Sequence, residues 1–155
     1  MLKKNNISIA HIDRNLTAQK RKYFLGSVIL HDISRIIKMR EQKMYLVTFQ
    51  KGAKTKLHYH ESGQTLIATE GNGILVIYKK IGGTVRTNIK IKEFSKTSLR
   101  KGDVVFIPER TLHWHGSIDK KKIFSHLAIN SHTPSGRESK TIWFDSNFTT
   151  FARRL

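Results

Sequence analysis

From Tyr23 onward the chain reads as short apolar runs separated by turn residues. That texture belongs to strands and not to helices. It predicts strands near Ser27–His31, Met44–Phe49, Lys56–His60, Thr65–Thr69, Ile74–Tyr78, Val85–Ile91, Val104–Ile107 and Ile123–Ile129. Gly71-Asn72-Gly73 and Gly82-Gly83 fall between runs, where hairpins need residues that tolerate positive φ. Pro108 ends one run and Pro134 lies in a Ser/Thr/Gly turn. No stretch from Tyr23 to Ile129 carries the period of a long amphipathic helix. Residues 1–22 are polar and weakly patterned and are expected to form an N-terminal arm. A single folded domain is expected over 23–145, with 146–155 as a C-terminal tail, and the aromatic run from Thr141 to Phe144 has the weight to pack back onto the body. Many short antiparallel strands imply an all-β sandwich or barrel, and pattern alone does not choose between the two.

Composition narrows the functions. With 155 residues the chain has one domain's worth of core. It has no cysteine, which removes disulfides, thiolate ligands and Cys nucleophiles and fits a reducing compartment. Ile7-Ser8-Ile9-Ala10 is too short an apolar segment for a signal peptide, and no run approaches membrane-spanning length, so a soluble, cytoplasmic protein with no membrane partner is expected. The net charge of +18 raises nucleic-acid binding, but lysines and arginines are spread along the chain in short runs such as Lys20-Arg21-Lys22 and Lys120-Lys121-Lys122. The expectation is therefore a basic, solvated surface and not a nucleic-acid interface. No serine or cysteine nucleophile signature is present, and Gly71-Asn72-Gly73 reads as a hairpin turn and not as a phosphate cradle.

The histidines carry the chemistry. His58 and His60 are two apart in an expected strand, so alternation sends both imidazoles to one face, with Leu57 and Tyr59 on the other. Neutral imidazoles paired on a strand face suit Zn, Mn, Fe, Co, Ni and Cu alike. Around them the order runs Gly52, His58, His60, Gln64, Gly71, then Gly102, Pro108 and His113. These spacings resemble the two motifs of the cupin family, with Gln64 where most members place Glu and Arg110 where they place Gly. The resemblance covers residues 45–130 and implies a double-stranded β-helix, the jelly-roll barrel. It also implies one divalent transition metal, manganese first with iron, nickel or zinc as alternatives, held by His58, His60, Gln64 and His113. A neutral Gln64 leaves a site charge of about +2 where a Glu would leave about +1, giving weaker retention and a stronger Lewis acid.

Tyr23-Phe24-Leu25-Gly26, Gly63-Gln64-Thr65-Leu66-Ile67, His113-Trp114-His115-Gly116 and Ser125-His126-Leu127-Ala128-Ile129 are similar to small single-domain bacterial cupins. These are the carboxymuconolactone-decarboxylase-associated, manganese-dependent hydroxynitrile lyase-like subgroup. The resemblance implies a metal-dependent lyase acting on a small carbonyl-derived substrate. Alternation puts His126 with Phe124 and Ala128; facing a barrel interior, it is the expected catalytic acid/base. His115 and Trp114 are read as structural, Tyr45 and Val47 as pocket walls, and Asn130 as a contact at the rim. Iron-dependent oxygenation and non-catalytic small-molecule binding stay open as alternatives, since one fold hosts many activities. A homodimer is expected, as cupins commonly pair through their sheets.

Overall fold

The computed structural model describes residues 2–4, 6–12 and 22–155. Residues 1, 5 and 13–21 of the expected arm, with Lys20 and Arg21, lie outside the described residues. In chain order the strands are β1 (Leu2–Lys4), β2 (Ile7–Ile9), β3 (Phe24–Leu25), β4 (Val28–Asp32), β5 (Lys43–Phe49), β6 (Lys54–Thr55), β7 (Leu57–His60) and β8 (Gln64–Glu70). They continue as β9 (Asn72–Gly83), β10 (Asn88–Arg100), β11 (Val104–Ile107), β12 (Leu112–Ser117), β13 (Phe124–Asn130), β14 (Thr141–Ser146) and β15 (Phe151–Arg154). One short helix, α1 (Ile33–Ile36), follows β4, and the Asp32 carboxylate caps it by accepting from the Arg35 amide at 3.0 Å. Among the described residues no helix is long and apolar enough to cross a membrane.

β1 and β2 form a separate hairpin, and the remaining strands form two sheets. The five-stranded sheet runs β11-β8-β13-β5-β4, and the eight-stranded sheet runs β3-β6-β12-β7-β14-β15-β10-β9. β12 also pairs with β9, so β12, β7, β14, β15, β10 and β9 close into a ring. This is the expected all-β jelly-roll barrel. Each ring strand sends residues into a core of its own: Leu57, Val76, Tyr78, Ile89, Ile91, Leu112, Phe144 and Ala152. The larger core lies between the ring wall and the five-stranded sheet, from Val28, Val47, Phe49, Leu66, Ala68, Leu75, Leu99, Ile107, Phe124 and Ala128. β9 and β10 thus feed both cores, Leu75 and Leu99 on one side and Val76, Tyr78, Ile89 and Ile91 on the other. β7 and β12 send Leu57 and Leu112 into the ring core and carry buried histidines on the opposite face.

All eight expected strands are present, with informative departures. Val85 lies in the turn between β9 and β10, where the Thr87 amide bonds to the Thr84 carbonyl at 3.1 Å. β10 then runs on to Arg100, although no residue from Lys92 to Ser98 is buried, so its sequence lacks the alternation that marks a half-buried strand. β12 is not among the expected strands, because the pattern of His113-Trp114-His115-Gly116 is polar, yet its imidazoles are buried. Gly71 turns the chain from β8 into β9 at φ 73°, and a Cβ there would strike the Ile123 carbonyl oxygen.

Candidate metal centre

β7 and β12 pair with His113 opposite His58, and alternation points His58, His60, His113 and His115 into the space between the sheets. Ring centroids lie 4.2 Å apart for His58 and His113, 5.0 Å for His58 and His60, and 5.5 Å for His58 and His115. Among the described residues, His58, His113 and His115 form a group whose donor atoms all lie within 4.8 Å of one another. His60 falls outside that triad, and its ring sits 5.6 Å from His113.

The hydrogen bonds behind the rings separate the histidines by role. Nδ1 of His58 donates to the Lys56 carbonyl at 2.8 Å, and Nδ1 of His113 donates to the Thr111 carbonyl at 2.7 Å. A carbonyl only accepts, so both rings keep their proton on Nδ1 and present a bare Nε2. His60 Nδ1 meets Thr141 Oγ1 at 2.8 Å, which suits the same tautomer. Outer partners of this kind orient metal-binding imidazoles. Gln64 Nε2 donates to Asn130 Oδ1 at 2.7 Å, because β8 and β13 pair with those two residues opposite each other. Nε2 of His60, His113 and His115 and Oε1 of Gln64 are then buried without a partner. Unpaired buried acceptors cost free energy, and several at one place mark a position for a cation. Three imidazole nitrogens and an amide oxygen fit a divalent transition ion of borderline character.

Burial dominates the electrostatics. It is the first cause that holds His60 down at about 3, His113 at about 4 and His126 at about 3. Burial again, then the neighbouring imidazoles, push His58 and His115 well below the ordinary value. The histidines are therefore neutral at pH 7, as ligands must be. No aspartate or glutamate is buried among the described residues, so no carboxylate offsets an ion's charge.

His58, His60, Gln64 and His115 line a cavity of about 200 Å³ whose walls include Tyr23, Tyr45, Val47 and Trp143. The expected wall residues Tyr45 and Val47 are thus in place, and Asn130 also lines it. His113 and His126 are fully buried and stand behind the lining. His126 packs on Phe49 and Phe124 with centroids at 5.4 and 5.6 Å, and its Nε2 lies 3.1 Å from His115 Nδ1. It reaches the cavity only through His115.

Two wall residues had no signal strong enough to place them. Trp143 lies opposite His58 in the β14–β7 register and stacks on it at 4.3 Å, and Tyr23 stacks on the other face of Trp143 at 4.6 Å. The aromatic run in the tail showed that Trp143 packs somewhere; only strand pairing shows where.

Arg110 holds a φ of 57° while its amide donates to the His60 carbonyl at 2.7 Å. The turn keeps a left-handed residue, and a non-glycine there costs about 1 kcal/mol. The exposed Arg110 side chain does not line the cavity. Arg110→Gly is expected to stabilise the protein by about 0.5–1 kcal/mol, read from the urea midpoint, with metal content unchanged.

The family model described as Cupin matches residues 36–150. A curated relative, an (R)-mandelonitrile lyase from Granulicella tundricola, is 37% identical over 83 residues, which cover 54% of this chain and 52% of that protein. The chain thus spans about half the length of the curated relative it matches. A cupin-like protein from Thermotoga maritima superposes with a TM-score of 0.63 at 27% identity, covering 89% of this chain and 90% of the other. Oxalate decarboxylase from Bacillus subtilis shares the fold at a TM-score of 0.55 and 18% identity, over 76% of this chain and 28% of its own. The two facing sheets, the histidines they bring together and the match across the folded body all say that this chain belongs to the cupin family.

Proposed function

We propose that this cupin holds one divalent transition metal ion, manganese first, on His58, His60, Gln64 and His113, and acts as a hydroxynitrile lyase-like enzyme on a small carbonyl-derived substrate. The observation that carries this reading is the group of buried, unpartnered acceptors on His60, Gln64 and His113. The resemblance to the cupin motifs, and not the hydrogen bonds, favours His60 over His115 as the third imidazole: Nε2 of both is unpaired, and His115 shares the triad with His58 and His113. The likeness to a mandelonitrile lyase supports a cyanohydrin as the substrate class. A cavity of about 200 Å³ is the right order for one small ring, since about 150 Å³ is enough to admit benzene.

A bound ion would supply Lewis acidity toward a hydroxyl or carbonyl oxygen. The remaining tasks fall to the chain. In cyanohydrin cleavage the C–C bond to the nitrile carbon breaks, the hydroxyl proton leaves, and cyanide departs with a proton. His115 lines the cavity with Nε2 unpaired, so it is the imidazole placed to exchange a proton with the substrate. His126 holds the other side of that ring, its Nε2 in hydrogen-bond contact with His115 Nδ1. On this reading His126, expected as the acid/base, acts on the substrate through His115. Tyr23, Trp143 and Val47 give the substrate's apolar end a dry wall.

Elemental analysis of tag-free protein tests the assignment. About one equivalent of metal is expected in the parent and under about a tenth of that in His58→Ala/His60→Ala, since each lost ligand weakens a site severely. Manganese with mandelonitrile cleavage supports the lyase. Iron with oxygen consumption would replace it by oxygenation, and a metal-free protein after reconstitution with each ion sinks the ligand set.

A further inference from the structure

The basic residues read as scattered along the chain are gathered by the fold. Residues 79–96 and 151–155 carry eight lysines and arginines against Glu93 as the single acid, a net of seven positive charges out of the eighteen. β9, β10 and β15 place these segments side by side. Alternation turns Ile89, Ile91 and Ala152 into the ring core and leaves Lys90, Lys92, Phe151 and Arg153 exposed. Register sets Lys92 directly opposite Lys79, and Lys90 opposite Phe151. Like charges facing each other across strands destabilise a sheet. No acid neutralises this pair: among the described residues Lys79, Lys90, Lys92 and Arg153 form no ion pair, Asp145 opposite Arg153 pairs with Lys56 instead, and Glu93 pairs with Lys96 at 3.4 Å.

Two aromatic rings share the patch. Phe94 is 60% exposed with Lys79 Nζ 3.8 Å over its ring, and Phe151 is 44% exposed. Cations alone would suit any polyanion. Cations interleaved with open rings on a sheet face suit a chain whose phosphates are accompanied by unpaired bases. A duplex hides its bases from such rings, and a sulfated polysaccharide has none.

We propose that the outward face of β9, β10 and β15 binds single-stranded nucleic acid, with Lys79, Lys90, Lys92 and Arg153 on phosphates and Phe94 and Phe151 stacking on bases. This face does not depend on the metal centre, and its test does not involve turnover.

Fluorescence anisotropy of the full chain with labelled single-stranded DNA and RNA of about 12 nucleotides is the experiment. Four phosphate contacts predict a slope of log K against log salt of about −3, or about fifty-fold weaker binding at 200 mM than at 50 mM. Lys90→Glu/Lys92→Glu should weaken binding at least about tenfold, while Lys120→Glu/Lys121→Glu, with the same change in net charge, should cost no more than about threefold. Phe94→Ala/Phe151→Ala should weaken binding about tenfold and leave the salt slope unchanged. All substituted positions are exposed, and thermal melts check that the variants fold. Absence of binding at 50 mM, equal losses from both charge reversals, or no effect of the aromatic variant would overturn the proposal. So would equal affinity for heparin or duplex DNA, or preferential capture by vesicles of anionic phospholipid.

Discussion

Taking the metal-free protein from pH 7 to pH 5 is expected to remove about 6 kcal/mol of folding stability through His60, His113 and His126 alone. In the unfolded chain a histidine takes up a proton below about 6.5. In the folded protein His113 resists until about 4, and His60 and His126 until about 3. Between those limits the unfolded state binds more protons, so stability is full above about 6.5 and falls as pH drops toward 4 and then 3. Each group contributes about 1.4 kcal/mol per pH unit, hence about 2 kcal/mol each at pH 5. His58 and His115, also held well below the ordinary value by burial, add in the same direction. A domain of this size has about 5–15 kcal/mol in hand, so acid unfolding should begin near pH 5. Urea unfolding of chelator-treated protein at the two pH values measures the difference. A change below about 1 kcal/mol would mean that these imidazoles are hydrated or paired in the folded state.

Phe124→Ala is expected to destabilise the protein by about 4 kcal/mol, a fall in Tm of roughly 8–16 °C. Phe124 is fully buried, stacks on Phe49 at 6.1 Å and packs against His126 at 5.6 Å. Its ring also fills the space beside Gly73 that a Cβ would need. The surrounding strands are paired on both sides of β13, so they have little freedom to collapse into the void. None of the proposed ligands rests on Phe124, so metal content at 20 °C should stay at the parent level while the melt shifts. A thermal melt with parallel elemental analysis checks both halves. Loss of metal in a folded variant would place the site's support in the Phe49–Phe124–His126 packing.

The alternation in Leu57-His58-Tyr59-His60 was legible because a strand sends neighbouring residues to opposite faces wherever it lies in a fold. So were β4, β5, β8 and β13, whose apolar runs are continuous enough to specify strands locally. The resemblance to the two cupin motifs brought His113 to the paired histidines; periodicity by itself did not. The partners of those ligands were not legible. Gln64 and Asn130 are 66 residues apart, and His60 and Thr141 are 81 apart. Their meeting depends on which strands become neighbours and in which register, and a one-residue slip would reverse every face. The same dependence hides Trp143 against His58, the closed ring with its own core, and the gathering of lysines and arginines on β9, β10 and β15. Local periodicity states what a strand offers on each face; only strand pairing states what that face meets.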